Sequence, residues 1–217
     1  DSIKVVDIGS FTIVKTISPI PGGAMSIAAS ADGKLLALGI SDNKTQLINP
    51  EDGSVIRNLK SNYGGWAVAF SPDSQFIFSG TSQGILKWET ASGIFKFVNG
   101  GQDKIIKSLV ISNDGRTIAG GGDGFIYFWN VESGELIHRV EEAQFGVVNS
   151  LDFSPDDSML VSGSADNIAR IWNVDTAALL KELTGHSSQI FGVCFSPDGE
   201  YIASGANEGT IRIWGLP

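Results

Sequence analysis

The chain has 217 residues, 42% of them hydrophobic, with 15 basic against 24 acidic side chains and a net charge of −9. That balance argues against direct nucleic-acid binding, which needs clustered Lys and Arg to displace counterions from phosphates. No apolar run approaches the ~20 residues of a membrane helix, so no membrane partner is expected, and without a basic-then-apolar leader the protein is expected inside the cell, in cytoplasm or nucleus.

Two β-rich runs open the chain, at residues 3–6 and 11–17, and are read as a partial unit over residues 1–18. Four complete units follow, over residues 19–60, 61–99, 100–142 and 143–184. Each has four short runs rich in β-branched and aromatic residues, separated by turn residues. The clearest is the unit after Gln144, with runs at 148–153, 159–162, 169–172 and 179–183. Its turns are Ser154-Pro155-Asp156-Asp157 and Ala165-Asp166-Asn167, where Pro presets φ and Asp caps its own backbone. The last segment, residues 185–217, has three runs, at 190–195, 201–204 and 211–214. No helix-period segment with caps occurs. The single Cys194 excludes an intrachain disulfide and suits a reducing compartment; among apolar strand residues, it is expected in the core.

Two landmarks keep phase through these units. Ser-Pro-Asp-Gly or a near copy begins at Ser30, Ser71, Ser112, Ser154 and Ser196, at intervals of 41 or 42 residues. Ile48, Trp88, Trp129, Trp172 and Trp214 follow these serines by 17 or 18 residues and are read as third-strand core. A period of ~40–45 residues with this punctuation marks a β-propeller. A lone four-stranded sheet cannot bury both faces, so the sheets must stack, and radial stacking protects their edges. The fold class is therefore all-β, a propeller of four-stranded antiparallel blades with about five blades visible.

The stretches Leu183-Thr184-Gly185-His186, Phe195-Ser196-Pro197-Asp198-Gly199, Ile202-Ala203-Ser204-Gly205 and Ile211-Arg212-Ile213-Trp214 resemble the WD40-repeat family. So do Val161-Ser162-Gly163-Ser164-Ala165-Asp166 and Ile171-Trp172-Asn173, and the resemblance covers essentially the whole chain. In that family a blade often carries a hydrogen-bonded set of His, Ser, Trp and Asp. The resemblance implies such a set at His186, Ser204 and Trp214, with Glu208 in the place of Asp. It implies a partial set at Ser162, Asp166 and Trp172, where Gln144 replaces His, and another at Asp123 and Trp129, where Gln102 does. Asp42 is retained in the first complete unit, where Ile48 replaces Trp. A narrower likeness, of residues 65–76 and 211–217 to the propeller subunit of the superkiller RNA-decay complex, implies helical-repeat and disordered-segment partners.

Two arrangements of the ends are open. In a five-bladed ring, residues 11–17 join the last three strands as their outer strand, leaving residues 3–6 surplus. In the C-terminal part of a seven-bladed ring, about 77 further residues supply the remainder.

Catalytic chemistry has no support. Cys194 with His138 and His186, far apart in sequence, makes no convincing zinc set, so no metal or cofactor is expected. No Gly-x-Ser-x-Gly elbow accompanies the serines. Gly120-Gly121-Gly122-Asp123-Gly124 lacks the Lys-Ser/Thr and helix of a phosphate loop and is read as a turn.

A binding role has a candidate surface. Loops from a fourth strand to the next first strand gather on one face, around the central channel. Five residues ahead of each repeated serine stand Met25, Trp66, Lys107, Asn149 and Phe191. A position filled only for packing should be uniformly apolar; Lys107 and Asn149 show that it meets water, so Trp66 and Phe191 are expected partly exposed. In the WD40 family this position often contributes to peptide and protein binding. The expected role is a non-catalytic scaffold binding a protein or peptide within a larger complex, the acidic balance favouring a basic partner. The alternative is a regulatory or targeting propeller domain of a larger signalling enzyme.

Overall fold

A computed structural model describes residues 2–18, 23–40, 44–61, 63–98, 104–141, 143 and 145–216. Among them every helix or strand element is a strand, and the strands form six antiparallel sheets. The first pairs β1 (Ile3–Asp7) with β2 (Thr12–Ile17). The second runs β3 (Ala24–Ala29), β4 (Leu36–Ile40), β5 (Lys44–Ile48), β6 (Val55–Lys60). The third is β7 (Ala67–Phe70), β8 (Phe76–Thr81), β9 (Gly84–Glu89), β10 (Phe95–Phe97). The fourth is β11 (Ser108–Ile111), β12 (Thr117–Gly121), β13 (Ile126–Asn130), β14 (Leu136–Val140). The fifth is β15 (Val148–Phe153), β16 (Met159–Ser164), β17 (Ala169–Asn173), β18 (Leu179–Leu183). The sixth has three strands, β19 (Ile190–Phe195), β20 (Tyr201–Ala206) and β21 (Ile211–Gly215).

The repeated serine builds the first turn of each sheet. Its hydroxyl donates to the aspartate two residues on and accepts the N–H of the residue five on, at 2.9 Å in all five copies. That bond from the serine is the main cause holding Asp32, Asp73, Asp114, Asp156 and Asp198 below the ordinary carboxylate range. The turn thus closes each first hairpin without drawing on the core.

The cores lie between the sheets rather than within them. Ala37, Leu47 and Leu59 of the second sheet pack on Val68, Ile77 and Trp88 of the third, and the same interleaving recurs at each later boundary. Burying both faces this way makes each sheet depend on its neighbours. The first strands β3, β7, β11, β15 and β19 lie side by side along the inner edge. A glycine three residues past the start of the pairing with the tryptophan position permits this approach. A Cβ on Gly39 would lie 2.6 Å from the Gly65 carbonyl oxygen, one on Gly80 2.7 Å from that of Ile106, and one on Gly163 2.7 Å from Ile190 Cγ2. These glycines belong to strands, so the second runs extend past the expected ends, to Ser164 and Ala206.

A second tie runs along the outer edge. The fourth-strand residue opposite the third-strand position before the tryptophan is basic in each of the five sheets with that strand pair, β1–β2 in the first: Lys15, Arg57, Lys96, His138, Lys181. Arg57 donates to the carbonyls of Ala91 and Ser92 in the next sheet at 2.7 and 2.8 Å, and His138 Nε2 meets Asp175 O at 2.8 Å. Lys15 reaches Pro50 O at 3.1 Å and also bonds Glu51 O. Lys15, Arg57 and His138 thereby bind carbonyls in the turn between the third and fourth strands of the neighbouring sheet.

The pairing at the N-terminal end differs from one of the two open arrangements, and one expectation is corrected. Strand β2 pairs with β1, not with β21, and Ile17 packs with Leu38, Ile40 and Ile48 of the second sheet. Residues 3–6 are therefore not surplus: they give residues 11–17 a partner, so the composite blade of the five-bladed arrangement is not formed. Cys194 is exposed rather than core. It shares a sheet face with Ala203 and Ile213, and no described sheet covers that face. The equivalent face of the fifth sheet, with Val161, Ala169 and Ile171, is covered by the sixth.

Candidate protein-interaction rim

Three of the five rim residues share a backbone feature that sequence reading missed. Met25, Asn149 and Phe191 are each the extra residue of a β-bulge, between Ala24 and Ser26, Val148 and Ser150, and Ile190 and Gly192. A bulge leaves one residue outside the ladder and re-aims its side chain. Trp66 and Lys107 stand just ahead of β7 and β11, their N–H groups bonded to Gly80 O and Gly121 O. At the bulges Met25 is 57% and Phe191 55% exposed, and Trp66, ahead of β7, is 39% exposed. Lys107 Nζ sits 5.9 Å from the Trp66 ring centroid, a cation–π contact between neighbouring sheets. Asn149 Nδ2 donates to Ile190 O at 2.8 Å and so braces the next sheet's entry to Phe191. Phe145, 89% exposed in the loop entering β15, and Ile105, exposed in the loop entering β11, were not singled out from sequence. Their signal was available: large apolar residues in loops that otherwise carry turn formers.

The residues of the implied blade sets fall into three arrangements. His186, Ser204, Trp214 and Glu208 come together. Trp214 Nε1 donates to Ser204 Oγ at 2.8 Å, and His186 Nε2 lies 2.8 Å from the same oxygen. The Glu208 carboxylate can only accept, so His186 Nδ1 donates to Oε1 at 2.5 Å, while Ser204 Oγ, with a proton and a second lone pair left, bonds Nε2. Ser162 accepts from Trp172 Nε1 at 2.8 Å, but Asp166 turns to Arg170 at 2.7 Å and to the Phe145 N–H. Asp166 thus braces the rim loop. Trp129 is fully buried, whereas Asp123 is exposed and joins Val147 only through a backbone bridge. Ser79, bonded by Trp88 Nε1 at 2.8 Å, is a further member not recognised from sequence. Asp42, Gln102 and Gln144 lie outside the described residues.

Glu208 supplies a pH test. Its hydrogen bond from His186 is the main cause holding the carboxyl at about 2, from an ordinary value of 4.5. A carboxylate with a depressed folded-state value stabilises the fold above pH 4.5, and that contribution is lost as pH falls towards 2. Glu208→Gln should therefore be less stable than the parent at neutral pH and converge with it near pH 2, read from urea midpoints across that window.

Among the described residues no group of three or more His, Cys, Asp or Glu side chains is placed to hold a metal, and no helix is long and apolar enough to cross a membrane. The family model for the WD domain, G-beta repeat, matches residues 53–88, 94–130, 134–173 and 177–215, most of the chain. The protein belongs to the WD40-repeat family. An uncharacterised WD repeat-containing protein of Synechocystis is 31% identical over 154 residues, covering 70% of this chain and 44% of that protein. Subunit I of eukaryotic translation initiation factor 3 from Debaryomyces hansenii is 27% identical over 185 residues, covering 74% and 53%. Rat apoptotic protease-activating factor 1 is 31% identical over 124 residues, covering 56% of this chain and 10% of that protein. The chain thus spans about half the length, or less, of these relatives. As a WD40 protein it presents its loops and stacked sheets as a surface for protein contacts.

Proposed function

We propose that this WD40 chain is a non-catalytic scaffold inside the cell that grips a protein or peptide through Met25, Trp66, Lys107, Asn149 and Phe191. The observation that carries the reading is this repeat position itself, where bulges leave Met25, Asn149 and Phe191 outside the ladder and where Met25, Trp66 and Phe191 are exposed. Exposed Trp and Phe on a rigid sheet edge are the residue types that dominate interface energetics. A relative that is a subunit of an initiation factor supports membership of a larger assembly. The net charge of −9 favours a basic partner by steering its approach.

The test is comparative recovery of partners with the parent protein and with Trp66→Ala/Phe191→Ala. Each truncation should weaken the relevant partner by about 2 kcal/mol, roughly thirtyfold, while the thermal midpoint stays unchanged. Undiminished recovery by the double variant would remove the rim from the interface. A second reading, a regulatory or targeting propeller within a larger signalling protein, draws on the relative of which the matched segment is only 10%. The intact mass of the natural protein separates the two.

A further inference from the structure

The cleft between the third and fourth sheets breaks the repeat in a way the rim does not explain. At the third-strand position before the tryptophan the other sheets carry Leu47, Phe128, Ile171 and Ile213; the third sheet carries Lys87. Leu47, Phe128 and Ile171 are buried between sheets, and so is Lys87, at 8% exposure. Its ammonium donates to Val131 O at 2.9 Å and lies 4.0 Å from the Phe76 ring centroid. That leaves donor capacity unspent, and among the described residues no carboxylate forms an ion pair with it.

Directly opposite on β10 stands Lys96, in register with Lys87 and on the same face. Two like charges across a strand pair repel. Lys15, Arg57 and His138 tie down the next sheet's turn, but here Lys87 reaches that turn, at Val131 O, and among the described residues Lys96 makes no hydrogen bond or ion pair. Burial, and then the Lys96 charge, push the Lys87 ammonium below the ordinary lysine value; Asp73 and Glu132, further off, act the other way.

The lysines open onto space. A cavity of about 230 Å³ is lined by Phe76, Lys87, Glu89, Ile94, Phe95 and Lys96, and a neighbouring one of about 280 Å³ has both lysines in its wall. Two carboxylates share these walls: Glu89, which accepts the Ser92 hydroxyl at 2.7 Å, in the first, and Glu132 in the second. Two convergent cations beside Phe76 and Ile94 make a polar head site with an apolar wall.

We propose that this cleft binds an organic carboxylate with a compact apolar body, its oxygens bridging Lys87 and Lys96 and its body on Phe76 and Ile94. The carboxylate can be that of a free small acid or of an acidic residue beside an aromatic one in a peptide. Calorimetric titration of the protein with 3-phenylpropanoate, and separately with acetyl-Phe-Glu-amide, distinguishes these sources. Saturable binding of either supports the site, the free acid alone assigning a small-molecule ligand and the peptide alone a peptide one. The neutral analogue 3-phenylpropanol should bind at least about tenfold more weakly, because charge-assisted bonds to both ammonium groups are lost. Lys96→Ala should weaken binding about tenfold. Lys87→Leu restores the residue type of the other sheets, so it should melt no lower than the parent yet lose binding. No saturable binding of either probe in the millimolar range, or binding unchanged in both Lys96→Ala and Lys87→Leu, overturns the proposal.

Discussion

Ile171→Asp should abolish cooperative folding of this chain at room temperature, while Ile213→Asp should change its stability by no more than about 0.5 kcal/mol. The two residues occupy one repeat position, each next to the tryptophan landmark and each on a third strand. Ile171 is 2% exposed, sealed between the fifth and sixth sheets with Val161, Ile190, Val193 and Ile202. A carboxylate there loses its water, and the cation opposite it on β18, Lys181, is itself exposed; the effective penalty is several kcal/mol against a total stability of about 5–15. Ile213 is 63% exposed on the uncovered face of the sixth sheet, so its replacement stays in water. Lys87 shows what the position requires of a charge: a stem long enough to carry the ammonium to a carbonyl, here Val131 O. Aspartate has no such reach. Urea titration followed by circular dichroism reads both variants, and equal destabilisation would refute the assignment of the interior to sheet-sheet boundaries.

Trp88→Ala should cost about 3–5 kcal/mol, the range for deleting a large buried aromatic. Trp88 is 1% exposed, packs with Ala37, Leu47 and Leu59 of the preceding sheet, and stacks on Phe95 at 4.6 Å between centroids. Its N–H also satisfies the fully buried Ser79 hydroxyl. Trp88→Phe isolates that bond: the ring volume is largely kept and the serine is left unpaired, for about 1–3 kcal/mol. Denaturant midpoints with an unchanged slope would attribute both losses to the native state. If Trp88→Phe proves neutral, the indole–serine pair is incidental to the packing.

Much of this fold is legible in the chain because its determinants are local and repeated. The Ser-x-Asp turn closes through bonds spanning two and five residues, so five copies at a fixed interval announce five hairpins. Alternating β-branched and aromatic runs set which face of each strand is apolar, and the tryptophan landmark sets register between copies. Pairing within a sheet follows from such short-range signals.

What the repeat could not disclose is which copy of a position is covered. Cys194 reads as core because its strand is apolar, yet burial depends on a neighbouring sheet contributed from about 40 residues away. Likewise the rim residues were locatable by counting from the serine, but the bulges that turn Met25, Asn149 and Phe191 outward arise when a first strand must both pair with its second strand and skirt the next sheet. The lysine pair in the third sheet is plain in the sequence as two ordinary lysines; only the register of β9 on β10 sets them face to face at a cavity. The periodic pattern alone specified blades and their order, since turns and strand faces are properties of consecutive residues. Exposure, charge juxtaposition and the aim of the rim were decided in three dimensions, where the free energy of a side chain depends on what the next sheet brings against it.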